Sequence, residues 1–519
     1  MLRKQVLFCL LFIFVFTSLF AQGALLKSYQ FNSRDTVGYY GLGSNGVTQI
    51  KPGGDSILWL GTGAGLSWVE KENFQDSIFT YFPGFEKLPR GGISAIETSG
   101  STIWVAAVFD SSTTQGELQT GGGLAYSLNG GISWTGVAQP LDARDDKYDI
   151  WNGDTIRFSP VTTPVQNTTW DIAIDGNKVY TVSWAGGLRR TTDNGETWER
   201  IPLPGDEEDT LIIGVDEINY QMDPLDHQNL RGFSVLARND TLWVGTARGI
   251  NKGIIQGETI EWYHYSARRI KGLSGDFVVA LHRQEYQGRE VIWAVTLTAG
   301  TGETQGVSYT PDGGKTWHTT LENHRGYDIA SRGEDVFIGT QSSLYKLSPD
   351  RSNWSEYDRI YDEETNNEIL TDEVYSLFSD DQYLWVGTGD GLARLNPSDN
   401  KWSIYHESAS TEQPGETKIY AYPNPFYPNH NNVRNGSGHV RVKFHTQSQA
   451  EVWLEVYDFA MDRVYKGSKQ QFAIGDGFIV WDGRMDNGEL VANGAYFCKL
   501  TKKTDSGTQS HWTKLLILK

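Results

Sequence analysis

Three stretches combine an acid with small and hydroxylated neighbours in a way that serves either chemistry or a tight turn. They are Thr191–Trp198, Thr310–Trp317 and Ser127–Trp134, the last with Asn129 in place of the acid. As chemistry, the acid is a tempting catalytic sign, and a glycosidase would need a carboxylate pair flanking the bond it cleaves. The chain holds 64 Asp and Glu residues, so the sequence selects no such pair. As turns, the same residues have a simpler use. A short carboxylate can bond its own backbone N–H groups, Gly195 or Gly314 supplies a permissive dihedral, and Trp198 or Trp317 packs against the neighbouring repeat, as Trp134 does in the variant. The structural use is the expectation, and no catalytic residue is chosen. The 10 histidines are dispersed, and neither His227 nor His264 has a partner at metal-ligand spacing, so no metal or cofactor is expected. No nucleophile elbow or phosphate loop stands in an interpretable context. Cys498, in the apolar-aromatic run 495–500, reads as a buried structural thiol.

The elements that position these turns come from a second, more regular phrase. Leu-Trp-Val-Gly-Thr-x-x-Gly-Ile/Leu occurs at Leu242–Ile250 and at Leu384–Leu392. Related copies place an aromatic at Trp59, Trp104, Tyr180, Trp243, Trp293, Phe337 and Trp385. The spacings are 45, 76, 63, 50, 44 and 48 residues, and the shorter ones match a four-stranded propeller blade. The first repeat reads as strands at 47–50, 57–60, 66–69 and 78–81, and the last as 374–378, 383–386, 392–395 and 402–405. The expected fold is all-β: a seven-bladed β-propeller over 25–410, a polar linker at 411–417, and an Ig-like β-sandwich over 418–519. Whether residues 25–40 add a strand that helps to close the ring stays open.

The turn stretches resemble the Asp boxes of bacterial sialidases and several other propeller families. That resemblance implies a place between third and fourth strands, away from the ligand funnel. The sialidase arginine and tyrosine signature is not found, since Arg34 and Arg90 lack its context. The Leu-Trp-Val-Gly-Thr repeat is similar to the extracellular sensor propellers of hybrid two-component regulators, in which a transmembrane helix and a kinase follow. After the polar linker come Tyr422-Pro-Asn-Pro-Phe426, Trp481-Asp-Gly-Arg484, Asp486-Asn-Gly488 and Val491-Ala-Asn-Gly494, with a terminal Lys514–Lys519 strand. This region resembles the Ig-like domain of flagellar hook-capping proteins and the C-terminal sorting domains of type IX secretion cargo. It implies a partner in that export machinery, reached through the C-terminal domain.

Residues 1–24 carry Arg3 and Lys4, an apolar run from Val6 to Phe20 and then small residues, the pattern of a cleaved secretory signal. The mature chain is expected outside the cell or on its outer surface, with no transmembrane segment. A formal charge of −19 disfavours nucleic acid and anionic membrane as partners. A glycan or a protein remains as the ligand class.

Propeller topology predicts where that ligand sits. Loops from second to third strand, and from fourth strand to the next blade, open on one face. Four long connections fall there: 138–168, 204–230, 109–120 and 298–305. Long loops in a compact domain point to function. The expected ligand face therefore includes Tyr148, Trp151, Trp184, Asp226, His227, Arg231, Arg248 and Asp390. Thr62, Thr246, Thr340 and Thr388 begin the loops that rim it.

Overall fold

The computed structural model describes residues 38–74, 77–81, 84, 87–407, 412–413, 416–417 and 419–519. The expected signal segment, and the part of the 25–40 stretch before Gly38, lie outside the described residues. The chain divides into two compact units. One comprises 38–369 with 373–407, and the other the C-terminal residues with Leu370–Asp372.

The first unit is a seven-bladed β-propeller. Its first strands are Val47–Pro52, Gly92–Ser99, Thr169–Asp175, Gly232–Arg238, Phe277–Tyr286, Gly326–Arg332 and Val374–Ser379. Each opens an antiparallel sheet whose next three strands follow outward in sequence order. Neighbouring first strands touch all round the ring, and the seventh returns to the first. All four strands of the last blade come from one stretch, so the ring closes without strand exchange. It closes instead through hydrogen bonds between the first and last blades, one of them from the Gly391 N–H to the Asn45 carbonyl. Ser376 Oγ donates to the Val47 carbonyl at 3.0 Å, and Asn45 both accepts from the Glu407 N–H and donates to its carbonyl. Gly38–Tyr40 pairs with Phe79–Tyr81, adding a fifth strand to the outer edge of the first blade.

Every letter of the repeated phrase has a steric reason. The seven second-strand aromatics are buried between blades. Several are covered by the partner on the third strand, with a cation over Trp243 (Lys252, 5.4 Å) and Trp385 (Arg394, 5.5 Å) or a ring over Trp104 (Tyr126, 5.0 Å). The Gly before Thr leaves room for neighbouring inner strands: a Cβ on Gly387 would lie 2.2 Å from Ser376 Oγ and 2.6 Å from the Val47 carbonyl. The Thr is a staple. Thr62, Thr246, Thr340 and Thr388 are fully buried, each donating to the carbonyl three residues on and accepting from the N–H two residues on. They hold the loop together and are not exposed to a ligand. The closing Gly meets the fourth strand, and a Cβ on Gly249 would sit 2.1 Å from the Tyr265 carbonyl.

The three turn stretches lie between third and fourth strands. Asp193 accepts from the Thr197 N–H (3.0 Å) and hydroxyl (2.6 Å), while Thr191 bonds both Asp193 and the Gly195 N–H. Asp312 and Thr310 repeat the pattern, and Asn129 with Ser127 and Ser133 keeps most of it. Gly195 and Gly314 sit at φ 84° and 97°. Trp134, Trp198 and Trp317 meet Trp59, Trp104 and Trp243 of the preceding blade edge-on, at 5.8, 6.2 and 6.2 Å.

The second unit is an Ig-like β-sandwich. Tyr420–Tyr422, Val440–Thr446 and Gly475–Trp481 form one sheet, while Arg463–Lys466, Ala450–Tyr457, Gly494–Thr504 and Gly507–Ile517 form the other. Val442, Phe444, Val452, Leu454, Trp481, Cys498 and Leu515 fill the core. The Pro-Asn-Pro-Phe segment caps it: Phe426 is fully buried, and Asn424 bonds the backbone of Lys514 and Leu516. Burial pushes the Cys498 thiol up to about 12, which keeps it protonated and inert. Of the expected linker, Glu412–Gln413 pairs with Glu416–Thr417, and 411, 414, 415 and 418 lie outside the described residues.

Candidate functional site

Each of the seven first strands breaks register near its beginning, between 47/49, 93/95, 169/171, 232/234, 278/280, 326/328 and 374/376. A bulge takes one residue out of the strand's alternation and re-aims its side chain. The seven bulged residues are Thr48, Ser94, Trp170, Phe233, Val279, Tyr327 and Tyr375. These strands surround the propeller axis, and they begin on the face where the insertions arrive. The bulges therefore form one tier at the mouth of the axial channel, and four carry aromatic rings.

The rings meet across blade boundaries. Phe233 lies 6.3 Å from Trp170 and 4.5 Å from Phe277, and Tyr327 lies 5.4 Å from Tyr375. All five are half-buried. Glu373 accepts from the Tyr375 hydroxyl at 2.5 Å and from that of Tyr327 at 3.4 Å. Arg325 stands over the Tyr327 ring at 6.0 Å. Tyr375 reaches up to the second-to-third strand loop, where a Cβ on Gly389 would touch its ring. Burial first, then the Glu373 charge, raises both phenols, so they stay protonated donors.

Below the mouth the channel is ionic. Lys51 of the first blade pairs with Glu97 of the second at 2.8 Å and interacts with Asp171 of the third and Asp328 of the sixth. A lysine that reaches groups on such distant blades must lie near the axis. Burial works against its charge, but these acids outweigh it and hold the ammonium above its usual range. Burial pushes Asp171 up to about 7 and Asp328 to about 6, against bonds from backbone N–H groups. Those bonds are structural: Asp171 accepts from Ile172 and from Val235 of the next blade, and Asp328 from Ile329 and from Leu377 of the next. His282 is pushed down to about 4 by burial and by Lys51 and Arg283, so its ring is neutral at pH 7.

The insertions are placed differently from expectation. The segment 138–168 folds a hairpin, Tyr148–Trp151 with Asp154–Arg157, and 204–230 sends Thr210–Ile212 to the outer edge of the fourth blade. The two insertions bury one another's apolar residues. Trp151 is 4% exposed, donates to the Arg200 carbonyl at 3.1 Å, and shares a core with Phe158, Leu211, Met222 and Trp262. It is a packing residue and presents no face to a ligand. Asp142 anchors the layer between Arg189 (2.8 Å) and Arg200 (3.6 Å). The pocket beside it has a volume of about 40 Å³, space for water and too small for a sugar ring. The 109–120 stretch is not a loop: Thr102–Thr113 and Gly116–Ser127 pair along their length as one extended hairpin.

The remaining expected residues scatter. Arg231 and Trp184 do come together, the guanidinium 4.8 Å from the indole, with Arg231 Nε donating to the Pro224 carbonyl. Tyr148 is exposed on its hairpin, Asp226 is exposed, and His227 packs on Tyr220 at 4.7 Å. Arg248 is buried and paired with Glu207 at 2.9 Å, and Asp390 is buried within its loop, where its N–H bonds Thr388. None of these eight belongs to the bulge tier. The signal for that tier was present in the sequence as a small pattern, an aromatic before Asp or Ser and an aliphatic: Trp170-Asp-Ile172, Phe233-Ser-Val235, Tyr327-Asp-Ile329, Tyr375-Ser-Leu377.

Among the described residues no group of three or more His, Cys, Asp or Glu is arranged to hold a metal ion, and no helix is long and apolar enough to cross a membrane. No protein-family model and no curated protein matches the chain. Several solved structures are similar. That of PorZ, an essential bacterial surface component of the type-IX secretion system of Porphyromonas gingivalis, matches at 14% identity and a TM-score of 0.33, over 90% of this chain and 64% of that one. The chain thus spans less than two thirds of PorZ. YCF48 from Cyanidioschyzon merolae matches at 14% identity and 0.40, over 69% and 98%. FlgD from P. aeruginosa matches at 24% identity and 0.14, over 15% and 60%. With TM-scores below 0.5, these likenesses add nothing to the architecture, which rests on the strand pairing described above.

Proposed function

We propose that this chain is a secreted or surface-exposed binding propeller that takes a glycan or protein ligand at the mouth of its axial channel, with its C-terminal sandwich serving export or surface attachment. The observation that carries the reading is the tier of four bulged aromatics, which together with Phe277 of the fifth blade sets half-buried rings round one opening. Aromatic side chains left half-covered on rigid strands suit recognition, because they offer large contact area at small entropic cost. The funnel carboxylates support binding over hydrolysis. Asp171 and Asp328 are each bonded by two backbone N–H groups, Glu97 by Lys51, and Glu373 by two phenols.

One contact favours a second reading, a sialidase-like hydrolase: Glu373 on Tyr375 is the arrangement that activates a phenol as nucleophile. Against it, the raised phenols resist ionisation, and Arg325 stands over the Tyr327 ring rather than in an arginine triad.

The test is a survey of glycans and peptides with the full chain, repeated with Trp170→Ala and with Tyr375→Ala. Rim variants that fold normally and lose the signal support the proposal, and unchanged signals overturn it. Turnover of a fluorogenic sialoside, abolished by Tyr375→Phe, would favour the hydrolase. The C-terminal role is tested by deleting 415–519 and following export. Loss of this protein alone indicates cargo, loss of other exported proteins indicates a part of the secretion machinery, and normal export and surface retention rule the role out.

A further inference from the structure

The C-terminal sandwich ends on a strand with one open edge. Gly507–Ile517 pairs with Gly494–Thr504 through eleven residue pairs in unbroken register, and it forms the border of its sheet. Antiparallel pairing turns the N–H and C=O of alternate residues away from the partner strand. Here those residues are Thr508, Ser510, Trp512, Lys514 and Leu516, as the cover over the last two shows. Asn424 bonds the Lys514 carbonyl and the Leu516 N–H, and the Phe426 N–H donates to the Leu516 carbonyl. That cover stops at Lys514. Thr508, Ser510 and Trp512 are exposed, and their outward backbone groups meet no partner among the described residues. Native edges are blunted by proline, bulges or charge. Residues 507–513 have no proline, no Lys, Arg, Asp or Glu, and no break in register.

The same edge borders a basic, aromatic sheet face. Its even-numbered side chains share the outer face with Lys499 and Lys503 of the neighbouring strand, which stand opposite Trp512 and Thr508. Trp512 is 47% exposed, meets Tyr457 at 5.3 Å and has the Lys499 ammonium 5.8 Å from its ring. Lys514 is exposed two residues further on. The acids on this face are already answered by cations, Glu451 by Lys469 at 2.8 Å and Glu455 by Arg463 and Lys499 at 3.6 Å each. The domain as a whole agrees: residues 419–519 hold 12 Lys and Arg against 9 Asp and Glu, in a chain of 45 against 64. A net-basic domain on a strongly acidic chain draws a negative partner to itself.

We propose that residues 507–513 form a docking edge, to which an extended acidic segment of a partner protein adds as a further strand. Its backbone pairs with Thr508, Ser510 and Trp512, its carboxylates meet Lys514, Lys499 and Lys503, and its apolar side chains lie against Trp512. The backbone ladder selects a protein strand over an anionic polysaccharide, which has no regular row of N–H and C=O groups to pair. The inference rests on the reading of the sandwich as an export or attachment domain and names the chemistry of what it docks to.

The probes are capped heptapeptides titrated into the full chain: one alternating Glu and Val, one with Lys in place of Glu, and the Glu-Val peptide N-methylated throughout. Sodium alginate is the polysaccharide probe. Ser510→Pro removes an outward donor, a change that an edge strand accepts, and Lys514→Glu reverses a charge beside it. Lys315→Glu, on an exposed turn of the propeller, serves as control. The expected result is binding of the Glu-Val peptide, weakened tenfold or more by Ser510→Pro and by Lys514→Glu and unchanged by Lys315→Glu. The Lys-Val and N-methylated peptides stay unbound, and amide exchange slows at 508–512. If Ser510→Pro does not fold, the N-methylated peptide carries the backbone test on the natural chain. Equal losses for Lys514→Glu and Lys315→Glu, undiminished binding of the N-methylated peptide, or no binding of the Glu-Val peptide overturn the inference. So does alginate binding that depends on Lys514 while the peptides stay unbound, or a dimer of the chain that Ser510→Pro dissolves. Absent peptide binding with export still blocked by deleting 415–519, the inference falls and the export role stands. Peptide binding with normal export and surface retention of the deletion chain removes that role and leaves the edge.

Discussion

Two aromatic residues ten positions apart in the fourth blade separate the two roles assigned to rings in this molecule. Trp243, in the repeated phrase, is 1% exposed and stacks with Tyr265 at 6.2 Å and edge-on with Trp317 at 6.2 Å. Phe233, in the bulge tier, is half-buried and meets the rim rings at 4.5 and 6.3 Å. Trp243→Ala removes a fully buried indole and leaves a cavity, a loss of about 3–5 kcal/mol. Spread over the unfolding entropy of a unit of this size, that lowers the propeller's melting midpoint by about 4–7 °C. The Trp243 indole N–H finds no hydrogen-bond partner among the described residues, so Trp243→Phe forfeits only ring area and costs about 1 kcal/mol. Phe233→Ala loses two aromatic contacts worth about 0.5–1.5 kcal/mol each and little burial, for a total of about 1–3 kcal/mol. Calorimetry of the full chain, resolving the propeller transition from that of the sandwich, measures all three. The order expected is Trp243→Ala well below Phe233→Ala, and Phe233→Ala at or below Trp243→Phe. If Phe233→Ala proves as damaging as Trp243→Ala, the rim is core, and its assignment to ligand binding loses its basis.

Other perturbations act on single named contacts. Bonds from the Thr197 hydroxyl, the Thr197 N–H and Thr191 hold the Asp193 carboxyl down at about 2. A depressed acid stabilises the fold above the unfolded carboxylate range near pH 4, and that contribution disappears as pH falls through about 2. Thermal melts should therefore show Asp193→Ala less stable at pH 6, with the difference from the natural chain shrinking between pH 4 and 2, and rim binding unaltered. An unchanged pH 6 midpoint, or a selective loss of binding, contradicts the turn role. Gly387→Ala forces a Cβ into Ser376 Oγ and the Val47 carbonyl at ring closure, and should cost about 1–3 kcal/mol with faster proteolysis of the seventh blade. A neutral result would mean that the closing strands have slack. Cys498, buried with its thiol pushed up to about 12, should resist alkylation at pH 8 until denaturant unfolds the sandwich. Rapid labelling of the native chain would show the core to be open.

The ring was legible in the sequence because the Leu-Trp-Val-Gly-Thr-x-x-Gly phrase records four separate steric demands, of which the aromatic recurs in all seven blades and the Gly-Thr pair in four. The insertions were legible as interruptions of that phrase, but not as structure. Trp151 stands among charged residues and reads as surface, yet Leu211 and Met222, 60 and 71 residues downstream, cover it. No local pattern announces such a partner. The 109–120 stretch departs from its sequence pattern for a different reason. Its Ser, Thr, Gln and Gly residues signal a loop, while the antiparallel pairing of Phe109 with Thr120 and Ser111 with Leu118 makes it strand. The mouth escaped because a bulge breaks the period-two alternation by which strands are recognised. Its slots also accept Thr48, Ser94 and Val279 alongside the aromatics, so no single residue type marks it.

The claim that ligand is read at the bulge tier is tested most directly by amide hydrogen exchange of the full chain, with and without a ligand found in the binding survey. Protection should concentrate at the beginnings of the first strands, at 169–171, 232–234, 326–328 and 374–376. Protection confined to the 138–168 and 204–230 insertions, or to the turns around Asp193 and Asp312, would place the site elsewhere and contradict the account.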